Sequence, residues 1–211
     1  MKRVVKVKIC GITNLEDANL VAELGADMIG INFYPGSRRY ISPEYAASFI
    51  DAVADVVTKV GVFVNASVDD ILFAKKLARL DAIQLHGNES SQFLAELRDR
   101  VETTIIKAIR VRSAADIDSL RGFSADAALL DTYSAGDFGG TGETFDWSIA
   151  RDARESIDKM ILAGGLNPDN VAEAIRMVRP YAVDVASGVE SSPGKKDPKK
   201  LEAFIRNAKN A

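Results

Sequence analysis

Short apolar runs alternate with segments of helical periodicity along most of this chain. The apolar runs have the length of buried strands, and most of them give way to a polar residue or a glycine. They predict eight β-strands, at Val4–Ile9, Asp27–Phe33, Lys59–Val64, Asp81–Leu85, Thr103–Ile109, Ala127–Leu130, Met160–Ala163 and Ala182–Val185.

The segments between these runs carry start signals for helices. Thr13 with Glu16 has the pattern of a capping box, Pro43 suits a first helical turn, and Asn167 precedes Pro168 in the order of an N-cap and a first-turn proline. Further helices are predicted at Val68–Leu80, Ser90–Val101, Ser113–Leu120, briefly after Asp146, and at Asp197–Asn207.

Strict alternation of strands and helices predicts parallel strands joined by crossover helices. Eight such units are what closes a (β/α)8 TIM barrel, so we expect an α/β fold with one domain over residues 1–211. A doubly wound open sheet is the alternative. It would normally carry a glycine fingerprint after its first strand, and Cys10-Gly11-Ile12 is not one.

Composition narrows the class of protein. The net charge is -3 without a dense basic block, which argues against nucleic-acid binding; Lys195, Lys196, Lys199 and Lys200 are interpreted as a solvated helix start. No apolar run has the length of a membrane span and no signal peptide is recognisable, so a cytoplasmic protein is expected. A single cysteine excludes an internal disulfide, and with a single histidine it argues against a zinc site.

Chemistry in a barrel of this kind gathers where the strands end. The predicted strand ends carry Cys10, Asn32, Phe33, Asn65, His86, Lys107, Asp131, Gly164, Gly165, Asp184, Ser187 and Gly188. The glycines after the last two strands can bring bare N–H groups together. We therefore expect a phosphate site there, although tight turns alone would also explain these glycines.

Cys10 and Asp131 are the candidate catalytic pair. A thiolate can act as a base and a carboxylic acid as a proton donor, which suits an isomerisation without a cofactor. A buried thiol and a capped strand followed by a surface loop remain the alternatives. Lys107 keeps open a Schiff-base reaction, and Arg38 and Arg39 offer either a grip on a carboxylate or two solvated charges.

Several motifs together resemble the phosphoribosylanthranilate isomerase family over nearly the whole chain. They are Lys8-Ile9-Cys10-Gly11-Ile12-Thr13, Gly25-Ala26-Asp27, Val60-Gly61-Val62-Phe63-Val64, Gln84-Leu85-His86-Gly87, Leu130-Asp131-Thr132, Gly139-Gly140-Thr141-Gly142, Phe145-Asp146-Trp147, Leu162-Ala163-Gly164-Gly165-Leu166-Asn167-Pro168 and Asp184-Val185-Ala186-Ser187-Gly188-Val189-Glu190. Their order and spacing are more specific than any one of them.

The resemblance implies a (β/α)8 barrel that converts N-(5-phosphoribosyl)anthranilate to 1-(2-carboxyphenylamino)-1-deoxyribulose 5-phosphate, the third step of tryptophan synthesis from chorismate. It implies no cofactor and no metal, a small phosphorylated substrate as the partner, and a monomer or homodimer. The residues it implies are Cys10 as general base, Asp131 as general acid, Arg39 for the substrate carboxylate, His86 and Asp184 in the pocket, and Gly142, Gly164, Gly165, Ser187 and Gly188 around the phosphate.

Other functions stay open at this stage. A Schiff-base aldolase or a carbon–carbon lyase would use Lys107, and a phosphate-ligand binding protein would need neither Cys10 nor Asp131. Indole-glycerol-phosphate synthase and the related isomerase of histidine biosynthesis are less similar, since the latter usually has an aspartate where this chain has Cys10. Glycines between Thr132 and Thr144 also suggest a loop that closes over the ligand.

Overall fold

A closed barrel of eight parallel strands forms the centre of the molecule. The computed structural model describes residues 4–118, 123–132 and 146–211. The strands pair in chain order and the last pairs with the first, so the predicted (β/α)8 barrel is confirmed. They are β1 (Lys6–Cys10), β2 (Met28–Asn32), β3 (Thr58–Phe63), β4 (Ala82–Leu85), β5 (Thr104–Val111), β6 (Ala127–Thr132), β7 (Met160–Leu162) and β8 (Ala182–Val185).

Helices follow the strands around the outside of the barrel. They are α1 (Leu15–Glu23), α2 (Pro43–Ile50), α3 (Val68–Leu77), α4 (Ser91–Arg100), α5 (Ala114–Asp118), α6 (Trp147–Ala153), α7 (Val171–Val178) and α8 (Pro198–Lys209). Side-chain oxygens of Ser42, Ser67, Ser90 and Asp197 accept N–H groups of the first turns of α2, α3, α4 and α8. These caps satisfy donors that a helix leaves unpaired at its start. Nowhere in the described ranges is a helix both long enough and apolar enough to cross a membrane.

The predicted capping box at the start of α1 is wrong. The capping residue is Asn14, whose side chain accepts the N–H of Asp17 at 2.8 Å. The hydroxyl of Thr13 instead donates to the carbonyl of Gly194 at 2.6 Å. A distant segment therefore competes for the threonine that the local pattern had assigned to the helix.

The predicted start of α7 is also displaced. The side chain of Asn167 accepts the N–H groups of Asp169 and Asn170, at 2.9 and 3.2 Å, and so closes a turn rather than a helix. The helix itself begins at Val171. The residues between β7 and α7 thus form a longer loop than the sequence predicts, at the end of the barrel where the strands terminate.

A short hairpin between β8 and α8 is absent from the sequence-based prediction. It consists of β9 (Glu190–Ser192) and β10 (Lys195–Lys196), which pair antiparallel. Lys196 is only 2% exposed, so its assignment to a solvated helix start is wrong. Its N–H donates to the carboxylate of Asp17 at 3.0 Å, which fastens the hairpin to α1.

Alternation along the strands separates two apolar layers. The larger layer fills the space between strands and helices and includes Val7, Ile9 and Leu130. The smaller layer fills the barrel, with members such as Met28 and Leu129. Strand residues adjacent in sequence to members of the larger layer point into the barrel. On β1 these residues are Lys8 and Cys10. The pleat therefore aims polar groups into the barrel.

Candidate active site

A cleft opens where the barrel strands end. Nine of the residues predicted for the site line it: Cys10, Arg39, His86, Asp131, Gly164, Gly165, Asp184, Ser187 and Gly188. Gly142 lies outside the described residues. The barrel thus brings together residues that are far apart in the sequence, while the role of each stays a prediction. Asn32 and Ser37 also line the cleft.

Cys10 ends β1 and is surrounded by charged groups. Gly30 on the neighbouring β2 leaves room for it, because a Cβ there would lie 2.8 Å from the Cys10 Sγ. Burial raises the pKa of the Cys10 thiol and nearby Asp184 adds to this, whereas Lys8, Lys196 and Arg39 oppose it. The cleft therefore holds a thiol whose ionisation depends on its cationic neighbours.

Asp131 is the penultimate residue of β6 and is buried. Its Oδ1 accepts the N–H of Thr132 at 2.8 Å, and its Oδ2 lies 3.2 Å from Nε2 of His86. Nδ1 of His86 lies 2.8 Å from the amide nitrogen of Gln84. The imidazole ring is therefore held between the Gln84 amide and the Asp131 carboxyl group. His86 thereby fixes the direction in which the carboxyl group faces.

Arg39 lies in the loop after β2 and is held by a carboxylate. Its Nε and Nη2 donate to the two oxygens of Glu190, at 2.8 and 2.7 Å. Such a two-point contact fixes the plane of the guanidinium, whose remaining N–H groups can meet a ligand carboxylate. Arg38 is exposed and does not line the cleft, which favours Arg39 as the predicted anchor.

Local geometry explains how Arg39 reaches the cleft. The hydroxyl of Ser37 accepts the N–H of Arg39 at 3.1 Å and the side-chain amide of Asn32 at 3.0 Å, which shapes the loop. Gly11 follows Cys10 with a φ of +78°, and a Cβ there would lie 2.4 Å from Cδ of Arg39. The glycine after the cysteine therefore lets the arginine cross the end of β1.

Close backbone contacts shape the wall formed after β7 and β8. Gly164 has a φ of +82°, and a Cβ there would lie 2.2 Å from Oγ1 of Thr132. A Cβ on Gly188 would lie 2.0 Å from the carbonyl oxygen of Leu166. Both positions exclude a side chain, so main chain rather than side chain faces the cleft. Such a surface suits an anion, as predicted for the phosphate.

Lys107 lies in the middle of β5 and Asn65 lies two residues after β3, and neither lines this cleft. Nζ of Lys107 donates to the carbonyl of Gly87 at 2.8 Å and to Glu89 at 2.7 Å, between β5 and the loop after β4. The side chain of Asn65 accepts the N–H of Asn88 at 2.7 Å in the same loop. Both residues stabilise a loop beside the cleft.

Three charged residues of the site were not assigned a role from the sequence. Lys8 contacts Asp184 at 2.9 Å inside the barrel, and Lys196 contacts Glu190 at 3.0 Å. The sequence could have indicated the position of Lys8, because a lysine two residues before Cys10 on the same strand points to the same side as Cys10, into the barrel. Glu190 and Lys196 had none, since their importance depends on the hairpin that carries them.

Comparison with known proteins gives a consistent result. The family model described as N-(5'-phosphoribosyl)anthranilate (PRA) isomerase matches residues 7–207. The N-(5'-phosphoribosyl)anthranilate isomerase of Trichlorobacter lovleyi is 49% identical over 207 residues, which cover 98% of this chain and 99% of that protein. The crystal structure of phosphoribosyl anthranilate isomerase from Thermotoga maritima superimposes with a TM-score of 0.90 at 45% identity, covering 98% of this chain and all of the other.

A further solved structure holds a ligand. It is phosphoribosyl anthranilate isomerase in complex with reduced 1-(o-carboxyphenylamino)-1-deoxyribulose 5-phosphate. It superimposes with a TM-score of 0.87 at 44% identity, and the match covers 98% of this chain and 100% of that one. The compound carries one carboxylate and one phosphate, two groups that the predicted anchors would bind.

Proposed function

Since this chain belongs to the N-(5'-phosphoribosyl)anthranilate isomerase family, we propose that its cleft performs the reaction with Cys10 as the general base and Asp131 as the general acid. The chain is an isomerase of tryptophan biosynthesis. The observation that carries the proposal is that a thiol and a carboxyl group, on β1 and β6, line one cleft together with an arginine and a glycine-rich wall. These groups match the acid, base and anion contacts that the rearrangement needs.

The reaction begins at the ribose ring. Asp131 protonates the ring oxygen, and the bond from that oxygen to C1′ breaks to leave an iminium group on the anthranilate nitrogen. The positive charge makes the proton on C2′ acidic, and Cys10 removes it. The resulting enolamine then tautomerises to the ketone. No electron leaves the substrate, so the residues of the chain suffice as proton carriers.

Two anionic groups fix the substrate between these residues. Arg39 binds the anthranilate carboxylate with the part of its guanidinium that faces away from Glu190. The phosphate binds main-chain groups at Gly164, Gly165, Ser187 and Gly188. The ribose then spans the cleft, where Asp184 faces its hydroxyl groups. Because the substrate is bound at both ends, its reacting carbon is oriented toward the acid and the base.

His86 acts through Asp131 in this proposal. Its Nε2 lies 3.2 Å from the carboxyl oxygen, and Gln84 holds the other side of the ring. A cytoplasmic location, which the sequence indicates, stays a prediction.

The test is a fluorescence assay with freshly prepared phosphoribosylanthranilate. Cys10→Ser and Asp131→Asn should each lower kcat by about 10²–10⁴-fold, because each removes one proton carrier. Asp169→Asn, at an exposed position beyond β7, serves as the matched control and should keep full activity. Binding of the reduced product analogue should persist in both active-site variants.

Different results would assign the roles differently. Full turnover in Cys10→Ser would leave the activity intact and move the base to another group. Turnover in Asp131→Asn would do the same for the acid. Absence of turnover in the unsubstituted enzyme, with the analogue still bound, would overturn the isomerase and leave a ligand-binding protein.

A further inference from the structure

Lys8 is a buried charge that the mechanism above does not use. It is 0% exposed and lies inside the barrel, one pleat below Cys10 on the same face of β1. An unpaired ammonium ion at such a depth would lose its hydration at a cost of several kcal/mol. Its position therefore needs partners that keep it charged, or a function that uses the charge.

Asp184 is the first partner. Its Oδ1 lies 2.9 Å from Nζ of Lys8, and the two residues are direct neighbours in the pairing of β1 with β8. Burial by itself lowers the pKa of Lys8, but Asp184 and the neighbouring Cys10 outweigh it, so the pKa is raised and the ammonium form persists. Asp184 also lines the cleft, which leaves the pair next to the substrate.

Cys10 is the second neighbour, and Gly30 makes the contact possible. A Cβ on Gly30 would lie 2.8 Å from Sγ of Cys10 and 3.1 Å from Nζ of Lys8. Both atoms therefore border the same small space beside β2, which only a glycine leaves empty. The thiol and the ammonium group meet there without an intervening side chain.

Charged groups of both signs surround Cys10. Three cations face it, namely Lys8 from β1, Arg39 from the loop after β2 and Lys196 from β10, with Asp184 on β8 opposing them. Glu190 pairs with Arg39 and Lys196. Burial lowers the pKa of Lys196, whereas the pKa of Lys8 is raised, so Lys8 is the more firmly charged of the two lysines near the sulfur. Asp131 and His86 form a separate pair on another wall of the cleft.

We propose that Lys8 is a positioning residue that stabilises the Cys10 thiolate, and that Asp184 tunes this effect by holding the Lys8 ammonium group. The inference rests on the proposed role of Cys10 as the base. Burial disfavours the thiolate and keeps the pKa of the Cys10 thiol raised overall, and a fixed ammonium beside the sulfur opposes that effect without any movement during the reaction. Lys8 does not touch the reacting atoms and acts through Cys10.

The test titrates the thiol in the protein without substrate. Cys10 is the single cysteine, so the rate of alkylation by iodoacetamide against pH reports on it alone. Lys8→Met should move the midpoint upward by about one unit, which makes alkylation at neutral pH about tenfold slower. Asp184→Asn should move it downward, because it removes the opposing charge. Lys6→Met, at an exposed position on the same strand, should leave it unchanged.

Opposite shifts separate the proposal from general damage to the fold. If Lys8→Met does not fold, Asp184→Asn is compared with the double variant Lys8→Met/Asp184→Asn. This comparison also tests the loss of Lys8, and it leaves no unpaired buried carboxylate. The midpoint should then be higher in the double variant. An unchanged midpoint in folded Lys8→Met, shifts of the same sign in Lys8→Met and Asp184→Asn, or equal midpoints in the second pair would overturn the proposal.

Turnover adds a readout that a purely structural role would not move. In Lys8→Met, kcat/KM should be reduced at neutral pH and recover as the pH rises through the new midpoint. A loss that persists at every pH would contradict the proposal. The alkylation result is independent of the proposed function, because it needs no substrate: if Cys10→Ser were fully active, the base would be reassigned while the shift caused by Lys8 would still be measured.

Discussion

Glu190 connects two cations that lie on different segments. It binds Arg39 through both oxygens and contacts Lys196 at 3.0 Å, and Lys196 in turn donates to the carbonyl of Cys10. Burying one carboxylate between two cations is favourable only while all three charges are present. Glu190 therefore determines the stability of the site and the direction of the predicted substrate anchor.

We expect Glu190→Gln to lower the free energy of unfolding by about 3 kcal/mol, because two buried cations lose their counter-charge. KM should rise more than kcat falls, since Arg39 is an anchor in the proposed mechanism and not a proton carrier. Urea unfolding and steady-state kinetics measure the two effects. Glu202→Gln, on the exposed face of α8, is the control. An unchanged KM would show that Arg39 does not need Glu190 for its orientation.

Glu190 also gives the protein a pH-dependent contribution to stability. Burial alone would raise the pKa of this carboxyl, but Arg39 and Lys196 outweigh it, and the pKa lies below its ordinary value of 4.5. The unfolded chain therefore binds this proton first on acidification. The stabilisation is complete above the unfolded pKa and disappears as the pH falls through the folded value.

Urea unfolding from about pH 6 to about pH 3 should show this loss as a falling free energy, and Glu190→Gln should flatten that part of the curve. Some slope should remain in the variant. The pKa of Asp126 is also lowered, because hydrogen bonds from Ile105 and Arg98 outweigh the effect of its partial burial. A curve as steep in the variant as in the unsubstituted protein would mean that Glu190 does not contribute.

Sequence patterns predicted single residues well where the strand register alone places them. Cys10, Asp131 and Asp184 line the cleft because each stands on the inward face near a strand end, which can be counted from the sequence. The contact between Arg39 and Glu190 joins residues 151 positions apart. No local periodicity encodes such a pair, so it became visible only in the fold.

At the scale of elements, the strands were predicted more accurately than the segments that join them. Buried strands such as β8 have a run of apolar residues that sets their position, and Ala182–Val185 was predicted with its observed bounds. The hairpin of β9 and β10 is short, polar and turned at Gly194, where φ is +81°. Its pairing is stabilised by contacts with α1 and the cleft, which the local sequence does not contain.

The glycine after β8 offers a test of the predicted phosphate wall. Gly188→Ala places a methyl group against the carbonyl of Leu166, where a Cβ would lie at 2.0 Å, so the loops after β7 and β8 must separate. We expect a loss of stability of about 1–3 kcal/mol and a weaker affinity for the reduced product analogue. Calorimetric binding and urea unfolding measure these effects.

Ser192→Ala, at an exposed position of β9, provides the comparison for this change. It should alter neither the affinity nor the stability. If Gly188→Ala lowered stability but left the affinity of the analogue intact, the wall after β8 would not be the phosphate site. The same affinity for an analogue without its phosphate would support that conclusion.

At the scale of the whole molecule, the barrel interior combines an apolar cluster with a few charged groups. Residues such as Val60, Ile106 and Ala182 belong to that cluster, while Lys8 pairs with Asp184, which lines the cleft. In a barrel of this kind, the inward residues of alternate strands form the layers that fill the interior. The alternation of strands and helices was enough to predict the barrel, but which side chains meet in the cleft also depends on the register between strands and on the loops that follow them.

The direction of the Lys107 side chain decides between two functions. A Schiff-base lyase needs this amine in the cleft, yet Lys107 is paired with Glu89 outside it. We expect Lys107→Met to keep kcat within a few-fold and to lose about 3 kcal/mol of stability, because Glu89 loses its buried counter-charge. Steady-state assays and urea unfolding test this, with exposed Lys76→Met on α3 as the control.

Borohydride treatment in the presence of substrate should trap no adduct on Lys107. A trapped adduct, or a loss of turnover without a loss of stability, would return the chemistry to the lysine and contradict the acid–base mechanism.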